Sequence, residues 1–110
     1  MQIKIAARHG SQLNDDARER IRQKAEKLLH YFDRITLIEV TVDLGGKNGK
    51  WVEVRVDAEH KHDFVAQDSH DELLTAVDQA VEKIKQQIRR YKEKIQNHHR
   101  GDGKVAGSEE

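Results

Sequence analysis

The side chains best suited to chemistry in this sequence are cations. Residues 79–100 carry seven basic and two acidic groups. Wound at about 100° per residue, this stretch puts Lys83, Arg90 and Lys94 along one flank of a helix. Lys85, Arg89 and Lys92 fall along the other, with Glu82, Gln86 and Glu93 on the outermost strip between them. An earlier stretch divides in the same way, with Arg20, Lys24 and Lys27 on one side of an apolar stripe and Arg18 and Arg22 on the other. Ammonium and guanidinium groups spaced along a helix suit a run of backbone phosphates, because each one that meets a phosphate releases condensed counterions. Such contacts give affinity and register with little readout of sequence. The same residues have a structural reading: cations near a helix C-terminus favour the macrodipole, and their stems cover apolar edges.

Other chemistry finds less support. Of the seven histidines, His60 and His62 share a face if that stretch is extended, and His70 is close in sequence. There is no cysteine and no H-E-x-x-H or comparable ligand spacing, so no metal site is expected. The run Gly45-Gly46-Lys47-Asn48-Gly49 joins two strand-like segments and lacks the spacing of a phosphate loop, and no G-x-S-x-G occurs. Carboxylates such as Glu53 and Asp57 sit on wet strand positions, where nothing desolvates them. No catalytic residue and no cofactor is expected, and the chain reads as a binding protein, not an enzyme. Tyr31 and Trp51 can stack on a base, but an aromatic at the end of an element is more simply a plug at the core edge.

The elements that must position these cations can be read from periodicity. Gln2 to Arg8 alternates, with Ile3, Ile5 and Ala7 on one side, and reads as a short strand. Asn14 caps a helix from about residue 15 to 31, with Asp15 and Asp16 in its first turn and Ala17, Ile21, Ala25, Leu28 and Phe32 as its stripe. Ile38, Val40, Val42 and Leu44 alternate with polar residues, as do Val52, Val54, Val56 and Ala58, and Gly45–Gly49 is the hairpin loop between them. Phe64 and Ala66 mark a shorter strand. Ser69 and Glu72 form a capping box ahead of the longest helix, whose stripe is Leu73, Val77, Ala80, Ile84, Ile88, Tyr91 and Ile95 and which ends near residue 97. The expected fold is α+β: a two-layer β-α-β-β-β-α arrangement, with two helices on one face of a four-stranded mixed sheet. The first strand joins the second through a right-handed crossover and is parallel to it.

Composition agrees with a thin core. The chain has 110 residues, 35% hydrophobic and 36% charged, which is enough for one domain, expected at 1–97, followed by a disordered tail at 98–110. No apolar run is long enough to span a membrane, and the start lacks the pattern of a secretory signal. The net charge of zero conceals a segregation: residues 1–38 carry eight basic and five acidic groups, residues 39–78 four and ten, and residues 79–110 eight and five. Folded, that order can give a basic face and an acidic face, a polarity that orients a molecule against a polyanion.

The string Tyr31-Phe32-Asp33-Arg34-Ile35 closes the first helix and opens a strand. Ala76-Val77-Asp78 is followed by Glu82-Lys83-Ile84 and then by Arg90-Tyr91-Lys92-Glu93-Lys94-Ile95. In this order and spacing, the strings resemble the family of ribosome hibernation-promoting factor and ribosome-associated inhibitor A, over about residues 1–96. The resemblance implies the same two-layer fold and a cytoplasmic, ribosome-associated protein that acts in stress and stationary phase. It implies binding to the small ribosomal subunit and its rRNA, in the channel of tRNA and mRNA across the A and P sites, with translation blocked. By position it points to Arg18, Lys24 and Lys27 on the first helix, and to Lys83, Arg90, Lys92 and Lys94, with Arg89 adjacent, on the second. Leu74 stands where the family often has Tyr, and Gln86 where it often has Arg. Short members of the family either assist ribosome pairing together with a small ribosome-dimerising protein or oppose it through an extended tail. The tail here is of intermediate length and leaves both behaviours open.

Two other readings compete. A general double-stranded RNA-binding module shares the α-β-β-β-α order, but the start of the last helix, Asp68-Ser69-His70-Asp71-Glu72, would repel phosphates. An interaction domain for an acidic protein would use the same basic face.

Overall fold

In a computed structural model, the chain folds in the order β1 (Gln2–Ala7), α1 (Asp15–Tyr31), β2 (Ile35–Asp43), β3 (Lys50–Ala58), β4 (His62–His70) and α2 (Leu73–Arg100). The structure describes residues 2–8, 12–45, 49–59 and 62–100, leaving aside the side chains of His62 and residues 95–100. The strands form one sheet in the order β1-β2-β3-β4. β1 runs parallel to β2, while β2–β3 and β3–β4 are antiparallel. This is the expected α+β architecture.

The helices form where the sequence stops competing with them. Asn14 keeps extended backbone angles and its Oδ1 accepts the Ala17 N–H at 2.7 Å, satisfying one of the free amides of the first turn. At the other end of α1, the Phe32 N–H donates to the Leu28 carbonyl, and Phe32 itself is extended, which starts the chain back toward β2. Ile21, Ala25 and Leu28 of α1 and Ala76, Val77, Ala80, Val81, Ile84 and Ile88 of α2 meet Ile38, Val40, Val42, Val52, Val54, Val56, Phe64 and Ala66 of the sheet. Among the described residues no polar or charged side chain is buried, so this layer holds by apolar burial alone. Phe32, Phe64 and Tyr91 close one end of it, with every pair of rings edge to face at centroid distances of 5.7–6.3 Å.

Among the described residues no helix covers the opposite face of the sheet. Alternation places Glu39, Asp43, Glu53, Asp57 and Asp63 there, together with Lys4 and Arg55. Arg55 bridges Asp57 at 3.4 Å and Asp63 at 3.1 Å, and the hydrogen bond and charge of Asp57, then the charge of Asp63, raise its pKa. Five of the ten carboxylates of the acidic central segment therefore lie on the side away from the helices.

Four expectations need correction. β2 begins at Ile35, three residues before the alternation suggested, and Ile35 is buried. β4 is as long as its neighbours: it pairs with β3 from His62 to His70 even though only Phe64 and Ala66 carry an apolar signal, because the ladder to β3 sets its length. The Ser69–Glu72 capping box does not form. Ser69 is still in the strand opposite Trp51, α2 starts at Leu73, and the Glu72 N–H donates instead to His70 Nδ1 at 3.0 Å. α2 also runs to Arg100, beyond residue 97. Of the expected tail at 98–110, the part from residue 101 lies outside the described residues, as do most of the Gly45–Gly49 loop, His60 and Lys61. At the end of that loop Gly49 has φ of +101°, and a Cβ there would meet the His70 carbonyl oxygen at 2.9 Å, so glycine is required where β3 starts beside the β4–α2 turn.

Candidate nucleic-acid interface

The two helices run parallel. Near the start of their contact Lys24 Nζ of α1 meets Asp78 Oδ1 of α2 at 2.9 Å; near its end Tyr31 of α1 meets Arg89 and Lys92 of α2. These contacts fix which flanks face each other. The α1 row Arg20, Lys24, Lys27 and Tyr31 faces the α2 row Asp78, Lys85, Arg89 and Lys92, and together they edge a groove. The flanks that face each other are largely basic, with Asp78 opposite Lys24, while Arg20 and Lys85 pair with Asp16 and Glu82 of their own helices.

The eight cations singled out divide by what holds them. Lys24, Lys27, Arg89 and Lys92 lie on the groove. Lys24 is half-buried and neutralised by Asp78. Arg89 is exposed, with its Nε donating to the Tyr31 hydroxyl at 3.4 Å, and that hydrogen bond holds its guanidinium above the usual range. Lys92 Nζ donates to the Tyr31 carbonyl at 3.0 Å and stands 4.9 Å from the centre of the same ring. That carbonyl belongs to the last turn of α1, where it has no helical partner, so Lys92 caps α1 from α2. Lys27 is exposed and has no ion pair or hydrogen bond among the described residues.

The other four are on the outer flanks. Arg18 Nη1 donates to the Ile5 carbonyl at 3.1 Å. Lys83 Nζ donates to the Gln67 carbonyl at 3.0 Å and pairs with Asp68 at 3.3 Å, and one turn later Gln87 Nε2 donates to the Val65 carbonyl at 2.8 Å. Ile5 lies on one edge strand of the sheet, and Val65 and Gln67 on the other. The helices thus cover unpaired carbonyls at both edges, where another strand would otherwise add. Arg90 and Lys94 continue the Lys83 row by helical spacing, are exposed, and have no partner among the described residues.

Sequence reasoning missed two residues. Tyr31, read as a core-edge plug, is the point where Arg89 and Lys92 converge; its place at the end of a helix, one residue before the buried Phe32, is the available signal. Gln87 guards an edge and was legible only as the residue four after Lys83. Trp51 lies on the open sheet face with the Arg8 guanidinium 4.9 Å from its ring centre. Among the described residues no group of His, Asp and Glu could hold a metal ion, and no helix is long and apolar enough to cross a membrane.

Comparison with known proteins agrees with this architecture. A solved structure of a ribosomal subunit interface protein from Coxiella burnetii superposes with a TM-score of 0.74 at 24% identity, covering 84% of this chain and 98% of that one. The N-terminal domain of Thermus thermophilus Protein Y gives 0.71 at 24% identity, covering 83% and 99%. At these identities the likeness is one of fold. Among curated proteins, the ribosome hibernation promotion factor of Rhizobium meliloti (strain 1021) is 29% identical over 104 residues, or 94% of this chain. The chain spans about half (54%) of that relative's length. Residues 3–96 match the family model described as Sigma 54 modulation protein / S30EA ribosomal protein, and the chain belongs to that family.

Proposed function

We propose that this protein binds the rRNA of the small ribosomal subunit through its helical face, lies in the tRNA–mRNA channel across the A and P sites, and keeps ribosomes inactive under stress. The observation that carries the reading is the pair of parallel helices on one side of the sheet, their basic flanks continued by exposed Arg90 and Lys94, with Glu39, Asp43, Glu53, Asp57 and Asp63 on the other side. A molecule charged in this way approaches a polyanion with its helices first. The match to a family that includes a ribosome hibernation promotion factor supports the ribosome as the partner. In this reading Lys27, Arg90 and Lys94 supply contacts with nothing to give up. Arg89 and Lys92 supply contacts from fixed positions, Lys24 lies between the helices with its charge paired to Asp78, and Arg18 and Lys83 lie at the margin with their donors partly engaged. The protein acts by occupancy and transforms no substrate.

Sedimentation tests this. Purified protein is mixed with bacterial ribosomes and separated subunits and run through sucrose at low and at physiological salt. The reading expects co-sedimentation with the small subunit and the whole ribosome, absence from the large subunit, and loss of binding as salt rises. Protein left at the top of every gradient would refute it. Equal or tighter binding to a plain RNA duplex would favour a general double-stranded RNA binder. The same gradients, run with and without a small ribosome-dimerising protein, report whether the chain promotes or opposes ribosome pairing.

A further inference from the structure

We infer that Tyr31 is the positioning residue of this interface: it holds Arg89 and Lys92 ready at the groove and presents their remaining donors to phosphate. The inference rests on the rRNA-binding reading and adds a residue with no charge of its own. Three groups of one residue take part. The hydroxyl accepts Arg89 Nε, the ring lies under the Lys92 ammonium, and the backbone carbonyl accepts Lys92 Nζ.

The stoichiometry of donors makes this useful. A guanidinium has five N–H donors in a fixed fork. Engaging Nε leaves both terminal amino groups, the pair that meets phosphate oxygens side by side. An ammonium has three donors, and the Tyr31 carbonyl takes one. Long cationic side chains lose many rotamers when they bind, and fixing them beforehand removes that loss from the binding step. Tyr31 is itself well held, since the next residue, Phe32, is buried against Phe64 and Tyr91. With Lys92 over its ring, Tyr31 acts through the two cations and not by stacking on a base.

The test is a double-mutant cycle. Affinity for purified bacterial small subunits is measured at one low salt concentration for Tyr31→Phe and Tyr31→Leu, each in the natural background and in an Arg89→Ala, Lys92→Ala background. Phe keeps the ring and loses the hydroxyl; Leu loses both; the carbonyl contact survives each change. In the natural background Tyr31→Phe should weaken binding about 3-fold and Tyr31→Leu about 5- to 20-fold. In the background without the two cations, neither should change binding by more than about 2-fold. Equal losses in both backgrounds would mean that Tyr31 supports the fold in general, and unchanged binding in the natural background would mean that it positions nothing; either result overturns the inference. Loss of the rRNA reading is distinguishable, because then neither the natural protein nor the Arg89→Ala, Lys92→Ala protein binds small subunits at all.

Discussion

Replacing Lys27, Arg90 and Lys94 together by Ala separates the work of binding from the work of folding. All three are exposed and, among the described residues, none makes an ion pair or hydrogen bond, so the fold loses only solvated charge. Changes of this kind shift stability by up to about 0.5 kcal/mol per site in either direction, and with signs that partly cancel the melting temperature should move by less than about 5 °C. Binding should respond much more. If each residue meets one phosphate, its removal lowers the slope of log affinity against log salt by about 0.7–0.9. Three contacts lower it by about 2–3 units. Between 50 and 200 mM salt one contact accounts for a loss of about 3-fold, so the variant should be spared roughly 20- to 40-fold of the decline seen in the natural protein. Filter binding or sedimentation on small subunits across a salt series reads this directly. Lys92→Glu provides the contrast. It removes the donor to the Tyr31 carbonyl and sets a carboxylate at the C-terminal end of α1. The stability cost of about 1–2 kcal/mol should lower the melting temperature by about 5–10 °C. An unchanged salt slope for the triple variant, with a changed slope for the anchored cations, would refute the division.

Other consequences follow from the core and the edges. Lys83→Ala with Gln87→Ala uncovers the Val65 and Gln67 carbonyls of β4 beside the exposed side chain of Val65 (42% accessible). Static light scattering should show self-association at concentrations where the natural protein stays dispersed. Asn14→Ala removes the cap on Ala17 and should cost about 1 kcal/mol, or about 4–8 °C in thermal denaturation. Ile84→Ala, at a fully buried position between α2 and the sheet, should cost about 2–4 kcal/mol and lower the melting temperature by on the order of 10–20 °C. Low-salt binding measured well below that transition should stay close to natural, because Ile84 faces away from the groove.

The architecture was legible because its signals are periodic. Val40, Val42, Val52, Val54 and Val56 alternate, Ile84 and Ile88 recur at helical spacing, and each set falls on one face only as strand or as helix respectively, the face that is buried here. β4 was harder to read, since its length comes from pairing with β3 and only Phe64 and Ala66 reveal a buried face. The capping box misled for a related reason: Ser69 and Glu72 have the right types at the right spacing, but the strand claims Ser69 before a helix can use it. At the interface, helical geometry correctly sorted Lys83, Arg90 and Lys94 from Lys85, Arg89 and Lys92. It could not say which flank faces α1, because that depends on where α1 lies. Nor could it foresee that Arg18 and Lys83 would be turned onto the sheet edges, because a carbonyl acceptor has no signature in the sequence.

The helix ends constrain how a polyanion can lie on this surface. Helix N-termini ordinarily bind anions, through free amides and the positive end of the dipole. Here both are occupied: Asp15 and Asp16 stand in the first turn of α1, where Asn14 takes an amide, and Asp71 and Glu72 precede α2. Because the helices are parallel, these acidic ends lie at the same end of the groove, and Asp78 extends the negative region about one turn further along α2. Apart from Arg18, which is turned onto the Ile5 carbonyl, the helix cations without an ion pair among the described residues come later, at Lys27, Arg89, Arg90, Lys92 and Lys94. Lys92 also offsets the negative end of the α1 dipole. A phosphate chain is thus repelled at one end of the groove and attracted toward the other, where α2 continues eight residues, or about 12 Å, beyond Lys92. Affinity must come from side chains along the helix flanks and not from helix termini, which is why the salt slope should follow the number of Lys and Arg residues removed.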